Sequence, residues 1–347
     1  MTVIYFCLVI LLFANKNKTI RYAAFFLLLI LFCFNTDNAD RGIYEYRLTE
    51  YENLTGITEP GYYLLMSVFN LLHLDIQIQY VITGLLYLTS LFYIITKISK
   101  NPNIVIGYYM FAVFFLDVVQ LRATTSLIFV LWALYYLLTI EDTKKSVIIF
   151  LLLIFASALF HSSSLFFGVF ALIKIKSRKN LIIYVLICFV ILSVAEMFFI
   201  SYIGNALSVT DKIEAISQSD KYKGNNANIV AIVLLIGMLS AYLILYSLYG
   251  KRYDKYKNII TRNNIPILLL LVIPLISFSA DFRRIYFAVS PFLVSTITCW
   301  INKNNGFVIK SFIFVWGGIF FYRLILHGNY DAVFIPIMYD NMIYKVF

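Results

Sequence analysis

Long apolar runs recur along the whole chain and are separated by short polar links. The chain has 347 residues, of which 62% are hydrophobic and 13% are charged. A water-soluble protein of this length has no interior large enough to hide so much apolar surface. The runs do not alternate apolar and polar residues, as the strands of a closed membrane barrel do. The pattern therefore predicts an all-α polytopic integral membrane protein, with a single membrane-embedded domain over residues 1–347.

The apolar runs predict about twelve transmembrane helices, with ten or eleven as alternatives. Several runs are shorter than the about 20 residues that a helix needs to cross the hydrocarbon core. We therefore expect some of these helices to extend into their polar flanks or to be broken. The predicted segments are Val3–Ala14, Ile20–Phe34, Ile78–Thr96, Ile104–Leu116, Ala123–Leu138, Val147–Phe160, Leu165–Ile173, Leu181–Ile200, Ile229–Tyr249, Ile265–Ala280, Ile285–Ile301 and Val308–Ile325.

The positions of lysine and arginine predict the orientation of these helices. The links after the odd-numbered segments carry most of the 28 Lys and Arg residues, as cytoplasmic loops do. With an even number of spans, both termini lie outside the cytoplasm. The net charge of +10 is then a topology signal, and we expect no nucleic-acid partner.

Two long segments fall on the outer side in this topology. Residues 35–77 include an apolar stretch, 62–74, which is too short to cross the bilayer and predicts an interfacial or re-entrant helix. The polar segment 201–228 is interpreted either as a lid or as a plain solvated loop. The four cysteines show no metal-ligand spacing or disulfide framework, and no nucleotide-binding loop is present. We therefore expect no metal and no cofactor.

An arginine lies between two apolar runs, in the stretch Leu116–Ser126. An arginine at the centre of a membrane costs roughly 2.5–3.5 kcal/mol on insertion scales, which makes Arg122 a candidate functional residue with Asp117 and Gln120 beside it. The alternative is that Arg122 only extends its charged end to the lipid headgroups at the start of a helix.

Ten ionisable residues, Asp117 and Arg122 among them, are predicted to lie on the outer side. They are the acids Asp40, Glu59, Asp117 and Asp281, the arginines Arg122, Arg283, Arg284 and Arg323, and the histidines His161 and His327. The planar guanidinium of arginine matches phosphate oxygens, so several arginines at one membrane face indicate a pyrophosphate or another polyanion. A nearby acid or histidine is a candidate general base.

Each of these residues also has a plainer interpretation. Asp281 and Arg284 have the spacing of a structural ion pair, and His161 has the setting of a residue that caps a helix turn. Tyr44 and Tyr62 are candidates for stacking on sugar rings, or for members of an aromatic belt at the membrane interface.

Four short motifs follow one another along the chain. They are an outer loop from Asp40-Arg-Gly-Ile-Tyr44 to Glu59-Pro60-Gly61-Tyr62, the helix start Asp117-Val-Val-Gln120-Leu-Arg122, the element Phe160-His161-Ser162-Ser163, and the late run Arg283-Arg284-Ile-Tyr286-Phe287 followed by Pro336 and Tyr339. Taken in this order, the motifs resemble the EpsG-like branch of the Wzy polysaccharide polymerases over roughly residues 20–345. One departure is Ala123, where many members have glutamine.

The resemblance implies a Wzy-type, GT-C-like membrane glycosyltransferase in the bacterial inner membrane, with its active site facing the periplasm. Such proteins transfer a growing glycan from undecaprenyl pyrophosphate to the non-reducing end of another lipid-linked repeat unit. The products are O-antigen, capsule or exopolysaccharide. A chain-length regulator and a flippase are the protein partners that this pathway implies.

The resemblance and the residues together suggest a role for each candidate. Pyrophosphate binding falls to the four arginines, and the catalytic candidates are Asp40, Glu59 and His161. Substrate contacts are expected from Tyr44, Tyr62, Asp117, Gln120 and His327. Transfer would be a single inverting displacement without a metal ion.

Two other functions fit parts of this pattern. An O-antigen ligase would share the arginines and the topology, because it uses the same lipid carrier. A flippase or transporter for the lipid-linked unit would place its charges along a path that reaches both faces. The unusual charges here gather at one face and no inverted repeat is visible in the sequence, so polymerase is the preferred interpretation.

Overall fold

A computed structural model shows that the part of the chain it describes is built from helices. In the part of the chain that it describes, the extended backbone is limited to one isolated bridge between Asn35 and Asn341. The described residues are 1–50, 59–198, 225–251, 262–278, 282–327 and 329–342.

The chain divides into two compact units, and the first comprises Met1–Gly168 with Val294–Phe347. Among the described residues, this unit contains the helices α1 (Thr2–Ala14), α2 (Lys18–Cys33), α3 (Arg41–Thr49), α4 (Pro60–Leu71), α5 (Ile76–Ile98), α6 (Pro102–Ala112), α7 (Phe114–Val119), α8 (Leu121–Thr139) and α9 (Thr143–Phe160). The short helices α3 and α4 lie within the predicted outer segment 35–77, where the sequence predicted only the second.

A 3-10 helix, Ser162–Lys174, leads into the second unit, Val169–Leu293. Within this unit the side chain of Asn264 donates to the carbonyl of Ile173 over 3.0 Å, and so anchors the end of the 3-10 helix. The helices here are α10 (Arg178–Phe198), α11 (Asn225–Leu245), α12 (Ile265–Leu269), α13 (Val272–Phe278) and the start of α14 (Arg283–Thr298). The first unit resumes at Val294, within α14. It continues with α15 (Gly306–Phe321), two π-helical turns (Tyr322–Leu326 and Tyr330–Phe334) and α16 (Ile335–Tyr339).

Five stretches of helix among the described residues are long and apolar enough to cross a membrane. They are Ile76–Ile98, Leu121–Thr139, Thr143–Phe160, Ile232–Gly250 and Gly306–Leu326. Each overlaps a segment predicted from the sequence, and the all-α class of a multi-pass membrane protein is confirmed. The count of about twelve spans and the outside position of both termini stay predictions. The predicted outer segment 201–228 falls mostly outside the described residues.

Small residues set the distances between neighbouring helices, as is usual in membrane proteins. A β-carbon added to Gly84 of α5 would lie 2.7 Å from the ring of Phe32 and 2.8 Å from Cys33 Sγ, both on α2. Between α8 and α9, the Ser157 hydroxyl donates to the carbonyl of Ser126 over 2.9 Å. The helices therefore approach closely at positions where no large side chain intervenes.

One predicted segment, Ile104–Leu116, does not form a single continuous helix. Val113 has φ −124° and ψ −41°, which ends α6 and begins α7, and Gln120 has φ −92° and ψ 57°, which separates α7 from α8. The corner at Gln120 places Arg122 in the first turn of α8.

The C-terminal segment is held against the end of α2. The amide of Thr36 donates to the carbonyl of Asp340 over 3.0 Å, and the amide of Met342 donates to the carbonyl of Phe34 over 2.8 Å. The buried side chain of Asn341 donates to the carbonyl of Ile30 over 3.0 Å. These bonds join the two stretches of chain that form the first unit, Met1–Gly168 and Val294–Phe347.

The contact at Gly84 predicts the effect of a small substitution. We expect Gly84→Ala to lower the apparent Tm of the detergent-solubilised protein by about 5 °C, because overpacking a tight interior costs about 1–3 kcal/mol. Fluorescence-detected size exclusion after heating measures this. Gly42→Ala is the matched control, because a β-carbon added there meets no atom within 4 Å. Equal melting of the two variants would contradict the close approach of α2 and α5.

Candidate active site

A buried carboxylate joins three separate parts of the first unit. Glu59, which is 7% exposed, accepts a hydrogen bond from Arg122 Nη1 at its Oε2 over 2.5 Å. Its Oε1 lies 3.1 Å from His161 Nδ1 and accepts a hydrogen bond from the amide of Ser162 over 3.0 Å. Glu59, Arg122, His161 and Ser162 are called the Glu59 cluster below.

The local folding of the chain explains why these residues meet. Glu59 precedes α4, whose first residue is Pro60, and proline is well suited to that position because its fixed φ is helical. A β-carbon added to Gly61 would lie 2.9 Å from Leu159 Cβ, so only glycine allows α4 to approach the end of α9 this closely. His161 follows α9 directly. The glycine therefore brings Glu59 to His161.

Glu59 carries a negative charge in this setting. Burial alone raises the pKa of Glu59, but the hydrogen bond to His161 and the positive charge of Arg122 outweigh it. The pKa falls from 4.5 to about 2. Because the carboxylate is ionised and accepts only, the proton on the neutral His161 ring belongs on Nδ1, which faces it. Nε2 then carries the lone pair.

Arg122 is held on one side and accessible on the other. Its side chain is 25% exposed, and its Cζ lies 6.0 Å from the centre of the Tyr62 ring. The Tyr62 hydroxyl accepts a hydrogen bond from Gln79 Nε2 over 3.4 Å. An arginine anchored by a carboxylate and an aromatic ring loses less entropy when it binds an anion, because its orientation is already restricted.

Asp117 and Gln120, the sequence neighbours of Arg122, lie in different settings. Asp117 is 5% exposed, and its Oδ2 accepts hydrogen bonds from the hydroxyls of Tyr87 and Tyr109 over 2.7 and 3.0 Å. Its carboxylate is therefore engaged inside the protein, whereas the sequence suggested a substrate contact. Gln120 is partly exposed at the corner between α7 and α8.

Two other predicted residues lie on or beside α3. Asp40 precedes this helix and is partly exposed, whereas Tyr44 is 6% exposed. Burial, and next the negative charge of Asp40, raise the pKa of Tyr44. Both Tyr44 and Tyr62 have buried rings, so stacking on a sugar would require these rings to become accessible.

The remaining candidates are three arginines and one histidine. Arg283 and Arg284 are partly exposed in the first turn of α14, in the second unit. His327 is exposed and stacks on Tyr322 with 6.0 Å between ring centres. Among the residues that the structure describes, no hydrogen bond or ion pair links Arg323 or His327 to the Glu59 cluster. The predicted pair of Asp281 with Arg284 falls outside them, because residue 281 is not described.

The sequence did not predict the structural roles of Ser162, Gly61, Tyr87 and Tyr109. The Phe-His-Ser motif placed Ser162 beside a candidate histidine, but Ser162 binds the Glu59 carboxylate through its backbone amide. Nearly every residue type has such an amide, so the sequence could not indicate this bond. For the two tyrosines, the only available signal was their position in apolar helices. Within the described ranges, no three His, Cys, Asp or Glu side chains are grouped closely enough to hold a metal ion.

The fold and this cluster define a class, that of a multi-pass helical membrane protein with an anchored, partly exposed arginine beside a carboxylate and a histidine. A family model described as the EpsG family matches residues 18–336. The chain belongs to the EpsG family. No curated protein sequence and no solved structure matches it.

The low pKa of Glu59 predicts how pH affects stability. A carboxyl whose pKa is lower in the folded state stabilises the fold above its unfolded pKa and loses that contribution as pH falls toward the folded value. We expect Glu59→Gln to have a lower Tm than the wild type at pH values above about 4.5, where the carboxylate is ionised. This Tm difference should shrink as the pH falls from about 4.5 toward 2, as thermal melts in detergent would show.

Glu45→Gln is the matched control for this measurement. Glu45 forms an exposed pair with Arg41, and its side chain is 50% exposed, so the substitution should change Tm little at any pH because surface pairs contribute little to stability. A Glu59→Gln protein as stable as the wild type at pH 7 would contradict the ionised, paired state of Glu59.

Proposed function

We propose that this protein polymerises lipid-linked oligosaccharide repeat units into a bacterial surface polysaccharide. The growing glycan leaves undecaprenyl pyrophosphate and is transferred to the non-reducing end of another lipid-linked unit, at the outer face of the inner membrane. Membership of the EpsG family supports a role in polysaccharide synthesis. The observation that carries the proposal is the arginine of the Glu59 cluster, which is charged, oriented and partly exposed at the start of a membrane-spanning helix.

Arg122 binds the pyrophosphate leaving group in this proposal. When the bond between the anomeric carbon and the phosphate oxygen breaks, negative charge grows on that oxygen. A preoriented guanidinium stabilises this charge without first having to reorganise. Because Glu59 occupies Nη1 only, the guanidinium keeps further N–H donors for phosphate oxygens. Arg283, Arg284 and Arg323 are further candidates for the same anion.

His161 is better suited than Glu59 to accept the proton of the attacking hydroxyl. Glu59, with a pKa of about 2, is a weak base, and its oxygens accept hydrogen bonds from Arg122 and Ser162. Its carboxylate instead holds the His161 proton on Nδ1, which makes Nε2 the basic nitrogen of the neutral ring. Asp40 remains the other candidate for this base.

The reaction balances without any further reactant. The acceptor oxygen forms a bond to the anomeric carbon of the donor, the bond to pyrophosphate breaks, and the electron pair leaves with the phosphate oxygen. The hydroxyl proton passes to the base and then to water. Since pyrophosphate is already a good leaving group, we propose a single inverting displacement with no cofactor and no metal ion. Tyr44, Tyr62, Gln120 and His327 are the proposed substrate contacts, and the buried rings of Tyr44 and Tyr62 must become accessible for this.

The proposed pathway also defines the partners. The donor and the acceptor are both carried on membrane lipids, and a flippase must deliver them to the outer face before polymerisation. A chain-length regulator is the expected protein partner of the growing polymer.

Arg122→Ala in a deletion strain tests this function. We expect complementation with the wild-type gene to restore the ladder of polysaccharide lengths on a gel, and Arg122→Ala to leave single repeat units. Arg122→Lys should restore only part of the ladder, because lysine keeps the charge but loses the planar fork. Arg178→Ala is the matched control, because Arg178 also lies over a tyrosine ring, that of Tyr246, with 4.8 Å to the ring centre, but is outside the cluster.

Other results of this experiment would reject polymerisation. Complete loss of glycan from its final acceptor in the deletion strain would indicate a ligase or a flippase. A full ladder with Arg122→Ala, at normal protein levels, would remove Arg122 from the mechanism.

The proposed roles of His161 and Glu59 predict that substitutions of these two residues lower the rate of polymer formation by different amounts. We expect His161→Gln to lower the rate of polymer formation by about 10²-fold or more, which is the usual contribution of a general base. Glu59→Gln should lower it less, because the histidine remains present but less well oriented. Polymer formed per unit time by membranes from the complemented strains measures both rates. A His161→Gln rate near the wild-type value would assign the base role to Asp40.

A further inference from the structure

A second buried carboxylate lies at the corner that precedes Arg122. Oδ2 of Asp117 on α7 accepts hydrogen bonds from Tyr87 on α5, over 2.7 Å, and from Tyr109 on α6, over 3.0 Å. The main-chain carbonyl of Asp117 accepts the hydroxyl of Thr124 on α8 over 2.7 Å. One residue is therefore joined directly to three neighbouring helices.

The break between α7 and α8 explains why this residue is needed. The last carbonyls of a helix have no amide partner within that helix, and burying such a group without a partner costs about 1–3 kcal/mol. The Thr124 hydroxyl provides the partner for Asp117. Thr125, the next residue on α8, also lies 3.1 Å from Thr83 of α5, hydroxyl to hydroxyl. The first turns of α8 are thus connected to α5 and α7 by side chains.

We propose that Asp117 is a positioning residue that, through Tyr87, Tyr109 and Thr124, sets the direction in which the first turn of α8 presents Arg122. The inference rests on the proposed role of Arg122 in binding a lipid pyrophosphate. Asp117 itself is buried and acts only through Arg122.

The geometry makes Arg122 sensitive to this corner. Arg122 is the second residue of α8, and its guanidinium stands at the end of a long side chain. A small tilt of the first turn therefore moves the charge further than it moves the backbone. A misplacement of about 1 Å in such a group can cost about 10²-fold in rate. Glu59, which directly precedes α4, contacts the guanidinium of Arg122. Asp117 contacts α8, the helix that carries Arg122, through Thr124.

A role in stability alone would give a different pattern of effects. If the tyrosine hydroxyls only stabilise the fold, their removal lowers Tm and weakens pyrophosphate binding by the same factor in every variant of position 122. If the hydroxyls position Arg122, their removal weakens binding only in proteins whose residue 122 must be oriented to bind the anion. Lysine has a flexible stem and no planar fork, so Arg122→Lys is the background that separates the two cases.

Binding of geranylgeranyl pyrophosphate to the full-length protein in lipid nanodiscs tests the inference. We expect Tyr87→Phe/Tyr109→Phe to weaken binding about tenfold, and Arg122→Lys to weaken it by itself. In the Arg122→Lys background the two tyrosine changes should weaken it less than twofold further, because contacts that act as one unit are not additive. Tyr87→Phe alone, with an expected loss of about threefold, replaces the double variant if that protein does not fold.

Tyr5→Phe is the matched control. Tyr5 is fully buried, and its hydroxyl donates to the carbonyl of Met110 on α6, so its loss removes a comparable buried hydrogen bond that does not involve Asp117. We expect binding by Tyr5→Phe to equal that of the wild type. A loss equal to that of Tyr87→Phe, at a similar fall in Tm, would show a general stability effect and overturn the inference.

Two further outcomes separate this inference from the function on which it rests. If Tyr87→Phe/Tyr109→Phe weakens binding by the same factor in both backgrounds, or not at all, the positioning role is wrong while the role of Arg122 stands. If the probe binds Arg122→Ala as tightly as the wild type, the pyrophosphate role of Arg122 is wrong and the inference fails with it.

Discussion

A carboxylate buried among apolar helices must be paired, because an unpaired charge there costs far more than a single domain can compensate. Glu59 meets this condition with three groups that are distant in sequence: the guanidinium of Arg122, the ring of His161 and the amide of Ser162. The acid and its partners depend on one another. The acid stays ionised because its partners surround it, and the partners keep their orientations because the acid is ionised. The start of α4, the start of α8 and the end of α9 are thereby held at one point.

Asp117 obeys the same rule by another means. Its carboxylate is satisfied by two neutral tyrosine hydroxyls, which hold it inside the helix bundle and away from the guanidinium of Arg122. The two acids thus have different roles around Arg122. Glu59 contacts the side chain itself, whereas Asp117 supports the corner of backbone from which that side chain extends. In the proposed function Arg122 binds a large anion, and both acids then reduce the binding energy that the arginine would lose to ordering.

Much of this organisation was predictable because its physical basis is local. Apolar runs of sufficient length predicted α5, α8 and α9 to within a few residues, and the cost of an arginine between such runs identified Arg122. Glu59 and His161 followed from residue type and motif order. Asp117 shows where this reasoning stops. Its closeness to Arg122 in sequence suggested a shared contact with substrate, but the corner at Gln120 turns the backbone, and Asp117 meets Tyr87 and Tyr109 instead.

The sequence by itself determined the class of the protein, since hydrocarbon tolerates only helices with satisfied backbones and the apolar runs have that length. It also determined which residues carry unusual charge. Only the tertiary structure decided their partners. The meeting of Glu59 with His161 depends on a glycine, Gly61, that lets α4 approach Leu159, and the accessibility of Arg122 depends on a break between two helices. Such contacts join residues far apart along the chain, and their distances arise only when the helices pack.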